Sequence, residues 1–183
     1  MPQSVEPNNA RKHVPPRIVV GSIPEYLLAP FLLLYPRGPA DLTSPTCHCH
    51  LRLEVPVVEM DDYSQRLEVR WFIDYDPKDP LRNIIRHTET LDYSFEGNVL
   101  RPGPVWDLER DAVGLSDGIH VVDVVVVEET GFDDTSSSLP NRAVKSDQGY
   151  EAATYRFVID VRGQPDPTIA KCPDIPPSVR TCP

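Results

Sequence analysis

Residues 66–75, RLEVRWFIDY, alternate with a period of two: Leu67, Val69, Trp71, Ile73 and Tyr75 fall on one side, Arg66, Glu68, Arg70 and Asp74 on the other. Only an extended chain separates residues this way, so the stretch predicts a strand with one buried face. The run GIHVVDVVVVE at 118–128 is apolar at Val122, Val124 and Val126 and nearly so at Ile119, Val121, Val125 and Val127. That pattern predicts a strand covered on both faces and central in its sheet. TYRFVIDVR at 154–162 alternates again, with Tyr155, Phe157, Ile159 and Val161 inward. RIVVGS at 17–22, part of 26–35, residues 47–58 and TLDYSFEG at 90–97 complete a set of seven expected strands. Only VWDLERDAVGL at 105–115 has helical spacing, with Trp106, Arg110 and Val113 on one side. Twenty-one prolines against nine glycines argue against long helices, since proline lacks the amide donor that a helix interior needs. The expected fold is all-β, a two-sheet antiparallel sandwich.

A chain of 183 residues suffices for one domain with a substantial core. Residues 1–16, ending in HVPP, read as a flexible lead-in, 17–162 as the β domain, and 163–183, with six prolines and no regular period, as an extended tail. The net charge of −10 excludes a nucleic-acid partner, because phosphate binding needs a basic surface. No run of about 18 apolar residues is present, so no transmembrane helix is expected; YLLAPFLLLY at 26–35 is short and interrupted by Pro30. The first residues, MPQSVEPNNARKH, carry no apolar signal core, whereas four cysteines fit an oxidising compartment. The expectation that reconciles them is a secreted, periplasmic or cell-envelope protein whose export signal was removed or lies upstream; a cytoplasmic protein is the alternative.

EMDDYSQRLEVRWFIDYD followed by SDGIHVVDVVVVEE resembles the polycystic kidney disease type and related immunoglobulin-like domains of bacterial surface proteins, where a tryptophan strand follows an acidic turn and a Gly-x-aromatic-x-Val strand comes later. The resemblance covers about residues 47–162. It departs from the family in placing His120 where an aromatic is usual, and in the long segment between 128 and 153. It implies an immunoglobulin-like sandwich serving as a binding or spacer module without catalysis.

TCHCHLRLEV at 46–55 alternates cysteine with histidine. In a strand Cys47 and Cys49 share a face with Leu51, Leu53 and Val55, while His48 and His50 share the other with Arg52 and Glu54. One zinc ion cannot collect all four, and no Cys-x-x-Cys knuckle exists, so no metal site is expected here. A bond between Cys47 and Cys49 is disfavoured, because an extended strand points their side chains in parallel. The expected pairing joins them to Cys172 and Cys182 in the tail, in either of two connectivities. Closing loops of more than a hundred residues would stabilise the fold by roughly 4–5 kcal/mol each in the chain-entropy view.

In an immunoglobulin-like fold the turn before the tryptophan strand and the loop between the last two strands share one end. That would gather Glu59, Asp61, Asp62, Glu128, Glu129, Asp133 and Asp134 at an acidic pole, where calcium could find oxygen ligands and where a solvated end is the plainer reading. DYDPKDP at 74–80 resembles a calcium loop but lacks its glycine and closing glutamate, and reads as a proline-stiffened turn. Trp71, among Leu67, Val69 and Ile73, reads as a core anchor. Ser136–Ser138 lack a nucleophile elbow, His87 and His120 have no marked partner, and no glycine-rich phosphate loop occurs, so no catalytic residue or cofactor is expected. The expected role is a non-catalytic binding or structural module with a protein or cell-surface partner; a structural subunit of a surface or secretion assembly is the alternative, and a metal-dependent hydrolase comes last. The loop at 128–153 is the expected contact region, with Phe132 and Tyr150 as its aromatic anchors, disorder being the equal alternative, and deleting 132–148 is expected to leave the melting temperature nearly unchanged.

Overall fold

The computed structural model describes residues 14–30, 32–34, 50–94, 97–109 and 113–161. Its strands are β1 (Arg17–Ile18), β2 (Leu32–Leu34), β3 (His50–Glu54), β4 (Val57–Glu59), β5 (Leu67–Ile73), β6 (His87–Leu91), β7 (Leu100–Pro102), β8 (Val105–Glu109), β9 (Gly118–Glu128) and β10 (Ala153–Val161). The chain is mostly β and its sheets are mainly antiparallel. The largest sheet has the order β2-β10-β9-β5-β6, and in it β2 runs parallel to β10. β9 is central, as its apolar run predicts: it pairs with β10 over the full length of that strand and with β5 from Leu67 opposite Glu128 to Ile73 opposite Val122.

The remaining strands form a three-stranded sheet, β1-β4-β7, and a two-stranded sheet, β3-β8. One long hairpin runs through both. It turns a corner where the Val55 amide donates to the Pro104 carbonyl (3.0 Å) and the Gly103 amide to the Pro56 carbonyl (2.9 Å). A Cβ on Gly103 would lie 1.8 Å from the Val55 oxygen, so the corner admits only glycine there. Pro56 cannot donate to a ladder, and burial changes parity across it: Leu51, Leu53 and Val55 are buried before the corner, Val58 and Met60 after it. The expected single strand over 47–58 is thus two strands facing the core in opposite parity.

Other expectations need correction. Residues 17–22 form a two-residue strand and a 3-10 turn, Val20–Ser22, and Glu25–Leu28 is a second 3-10 turn ahead of β2. The third strand of the middle region is His87–Leu91, earlier than the expected 90–97. The helical reading of 105–115 fails over Val105–Glu109, which pairs with β3, Leu53 opposite Trp106. Trp106 and Leu108 are buried and Asp107 is exposed, a period of two that the spacing of Trp106, Arg110 and Val113 had masked.

One apolar cluster joins the sheets. Leu51, Leu53, Val55, Val58, Trp106 and Leu108 meet Leu67, Val69, Trp71, Ile73, Val122, Val124, Val126, Phe157 and Ile159. Trp71 sits at its middle, fully buried, 5.7 Å from the Trp106 ring and 6.2 Å from that of Phe157. Its indole N–H donates to Glu89 Oε1 at 2.9 Å, while Glu89 Oε2 accepts the Val105 amide at 3.3 Å, so this polar tip is satisfied within the core. Trp71 is the core anchor that its neighbours predict.

Candidate functional site

A second apolar cluster lies on the other face of the five-stranded sheet. Phe72, Val125 and Val127 project there from β5 and β9, and Phe132, with Val144 and Tyr150 beside it, comes down on them from the loop between β9 and β10. The loop leaves β9 at Gly131, where a Cβ would come within 2.5 Å of Val127 Cγ1 and 2.6 Å of Tyr150 Cδ1. Phe132 pairs with Val144 in an isolated antiparallel bridge. Phe132 is 3% exposed, so it anchors the loop to the sheet and is closed to a partner. Tyr150 packs on the same cluster, its hydroxyl 3.4 Å from Thr130 Oγ1.

Polar ties from the sheet hold the loop in place. Arg70 lies over the Phe132 ring at 3.9 Å and donates to Glu68 (2.8 Å), Asp134 (2.6 Å) and the Asn141 carbonyl (3.0 Å). Burial works against its charge, but its hydrogen bonds to the carboxylates of Asp134 and Glu68 outweigh that and raise its pKa. Tyr75 donates its hydroxyl proton to the Pro140 carbonyl and Asn141 its amide to the Asn83 carbonyl, each at 2.9 Å. Asp123, buried in the middle of β9, accepts from Arg142 of the loop (2.6 Å) and from Arg156 Nε and Nη2 of β10 (2.7 and 3.1 Å). Burial favours its neutral form, yet the hydrogen bonds from Arg156 and Arg142 prevail and hold its carboxyl below the ordinary range.

Between the loop and β10 runs a groove of about 470 Å³, floored by Val125 and walled by Tyr75, Leu139, Arg142, Thr154 and Arg156. Two guanidinium groups share one carboxylate there, so the groove wall carries a net positive charge on a chain whose total is −10. Arg142 also lies 5.0 Å from the Tyr75 ring centroid, and Leu139 is 45% exposed at the rim. Cation, aromatic face and apolar floor suit an extended segment that presents carboxylates beside apolar side chains.

The seven carboxylates of the expected pole have separate duties. Arg17 takes both Glu59 (3.2 Å) and Asp61 (3.1 Å). Asp62 accepts from the Ser64 amide and hydroxyl, and Asp133 from those of Thr135, each closing its own turn. Asp134 belongs to Arg70. Glu128 is buried at the end of β9 opposite Leu67, and the Glu129 amide donates to the Arg66 carbonyl. Glu128 and Glu129 therefore do reach the start of β5, while Asp133 and Asp134 are carried away onto the sheet face. Among the described residues no three His, Cys, Asp or Glu side chains are grouped to hold a metal ion. Cys47, Cys49, Cys172, Cys182 and His48 lie outside the described residues, as does the side chain of His50.

Three further residues matter that the sequence reading passed over: Asp123, Arg142 and Arg156. The one signal was a lone acid within a valine run, which a buried charge pair explains. His120, which the sequence left without a marked partner, locks the turn after β5. Its Nδ1 is 2.5 Å from Asp74 Oδ2 and its Nε2 is 2.9 Å from the Ser116 carbonyl, while Asp74 Oδ1 accepts the Val121 amide at 2.9 Å. Both ring nitrogens are thereby engaged. Asp74 adopts φ 47°, a left-handed conformation that these bonds sustain. No protein-family model, curated protein or solved structure matches the chain.

Proposed function

We propose that this chain is a non-catalytic binding module of immunoglobulin-like type, and that its β9–β10 loop carries the contact surface. The strand order supports the fold reading. A sheet in which β10, β9 and β5 lie side by side with β6 outside them, facing a layer ordered β1-β4-β7, follows the immunoglobulin variable pattern, in which the last, the sixth and the tryptophan-bearing third strand are neighbours. Trp71 then takes the place of the buried tryptophan of that third strand. The loop between the last two strands is the one that carries recognition in variable domains. Here it is braced on a sheet face rather than left at the pole, which keeps its groove in one shape and lowers the ordering cost of binding.

The observation that carries this reading is the groove itself: loop, turn and strand converge on it, and its walls are fixed by the Asp123, Arg142 and Arg156 network. A photo-reactive phenylalanine analogue placed at Leu139 in the producing cell tests it. A discrete adduct that disappears with Arg156→Glu is expected, and a Leu139 probe that gives no adduct above a control probe at Leu81 rejects the groove as a contact site. The proposed setting is secreted or envelope-associated, with Cys47 and Cys49 bonded to Cys172 and Cys182. Peptide mapping without reduction should find two strand-to-tail bridges; four free thiols, or Cys172 joined to Cys182, would remove the support for that setting.

A further inference from the structure

Arg101 of β7 is 3% exposed, a buried cation with no carboxylate within ion-pair distance among the described residues. Its partners are backbone carbonyls. Nη1 donates to those of Gln65 (2.7 Å) and Asp92 (3.1 Å), and Nη2 to that of Asp62 at a long 3.4 Å. Nη1 is thereby saturated, whereas Nε is buried and makes no hydrogen bond. A guanidinium has five N–H donors, so two are left over, one on Nε and one on Nη2. The Nε–Nη2 edge of a guanidinium can grip a carboxylate with two parallel hydrogen bonds. Burial pushes the Arg101 pKa down, partly offset by the charge of Asp62, which is what a cation short of a counter-charge shows. A buried donor left without a partner costs about 1–3 kcal/mol, so a site that keeps one asks for a use.

A pocket of about 380 Å³, lined in part by Arg101, lies where the end of β6 meets β7. These are outermost strands of two different sheets, and Arg101 bridges between them. Leu91, Tyr93 and Pro102 give the pocket an apolar and aromatic lining, and Thr90 stands exposed beside them. Asp92, the one carboxylate among its described lining residues, is ion-paired with Arg66 at 3.2 Å. Tyr93 is 43% exposed and lies 5.9 Å from the Arg66 guanidinium.

We propose that this pocket binds a carboxylate carried on a small apolar or aromatic body, the carboxylate bridging Nε and Nη2 of Arg101 and the body lying against Leu91, Tyr93 and Pro102. The site is separate from the β9–β10 groove and does not depend on its function.

Benzoate is the probe, followed by the Arg101 Nε–Hε signal in ¹H–¹⁵N spectra of the full chain, assigned by its loss in Arg101→Lys. A saturable shift of that signal is expected, and by calorimetry at least a tenfold weaker affinity in Arg101→Lys. Thr90→Trp keeps Arg101 and narrows the pocket, so it too should weaken benzoate about tenfold while the melting temperature holds. An unmoved Nε signal, a Thr90→Trp protein that binds benzoate as the parent does, or inorganic phosphate binding as tightly as benzoate would each overturn the proposal.

Discussion

The two faces of the five-stranded sheet are built on opposite principles. On the inner face the alternate side chains of β5 and β10, and those of β9 from Val122 to Val126, are apolar, and Leu67, Val69, Trp71, Val122, Val124, Val126 and Ile159 disappear into a cluster shared with the other sheets. On the outer face the same strands present Glu68, Arg70, Asp123 and Arg156 among Phe72, Val125 and Val127. There a loop supplies the cover, held by ion pairs and a few rings. The inner face is closed mainly by apolar area, with the Trp71–Glu89 hydrogen bond as a polar tie. The outer face is closed by partners that must each be present, so it fixes one loop conformation and with it one groove.

The sharpest way to break that contrast is to remove the cover. Deleting 132–148 uncovers Phe72, Val125 and Val127, each 0–1% exposed in the intact chain. At about 1.5–3 kcal/mol per large apolar side chain the loss is on the order of 5 kcal/mol, or roughly 10–20 °C in Tm for a domain of this size. This reverses the expectation drawn from loop length. A thermal melt within about 3 °C of the parent would show that the outer cluster contributes little.

Next comes the inner anchor. Trp71→Ala removes a fully buried indole, its contacts with Trp106 and Phe157, and the donor to Glu89. A loss of about 3–5 kcal/mol in denaturant unfolding is expected. Trp71→Phe should recover more than half, since most of the area returns and only the Glu89 bond is missing.

The inner face was legible in the sequence because alternation is local: Leu67 to Ile73 and Tyr155 to Val161 announce both strand and buried side from neighbours alone. The outer face was not, because its pairs are far apart in the chain. Arg70 meets Asp134 across 64 positions, and Tyr75 meets Pro140 across 65. Composition marked 128–153 as polar, which suits a free loop and a polar clamp equally well. β7 and β8 were missed for another reason: three-residue and five-residue strands broken by Gly103 and Pro104 are too short to display a period. The acidic pole failed as a unit because the loop that was to bring Asp133 and Asp134 there folds back along the sheet.

A third test probes the clamp with one side chain. Asp123→Ala leaves Arg142 and Arg156 facing each other without their shared counter-ion. Breaking a buried pair costs about 3–5 kcal/mol, and because Arg156 is 61% exposed and can turn to water the expected loss is nearer 2 kcal/mol. The sign with pH follows from the lowered carboxyl pKa. Asp123 stabilises the fold in full above the ordinary aspartate value, and that contribution fades as pH falls below it through the folded value. The acid limb of a stability curve should therefore be shallower in Asp123→Asn than in the parent. Parallel limbs would mean that the carboxylate is not what holds the clamp.

The smallest effect belongs to Arg17, which bonds two carboxylates and on paper resembles Arg142 and Arg156. Its side chain is 54% exposed, and Glu59 and Asp61 are 32% and 52% exposed, so water and salt already solvate all three charges. Its hydrogen bonding to Glu59 and the attraction of that carboxylate, with a smaller part from Asp61, raise its pKa, yet the gain is screened in solution. Arg17→Ala should leave Tm unchanged within error at physiological salt, and any small loss at low salt should vanish as salt is added. The Asp123 variants should keep most of their deficit under the same titration, because water reaches that carboxylate at only 3% of its side-chain surface. If both deficits vanish together, the outer clamp is no drier than the exposed pair, and the contrast between a sealed face and a solvated one is lost.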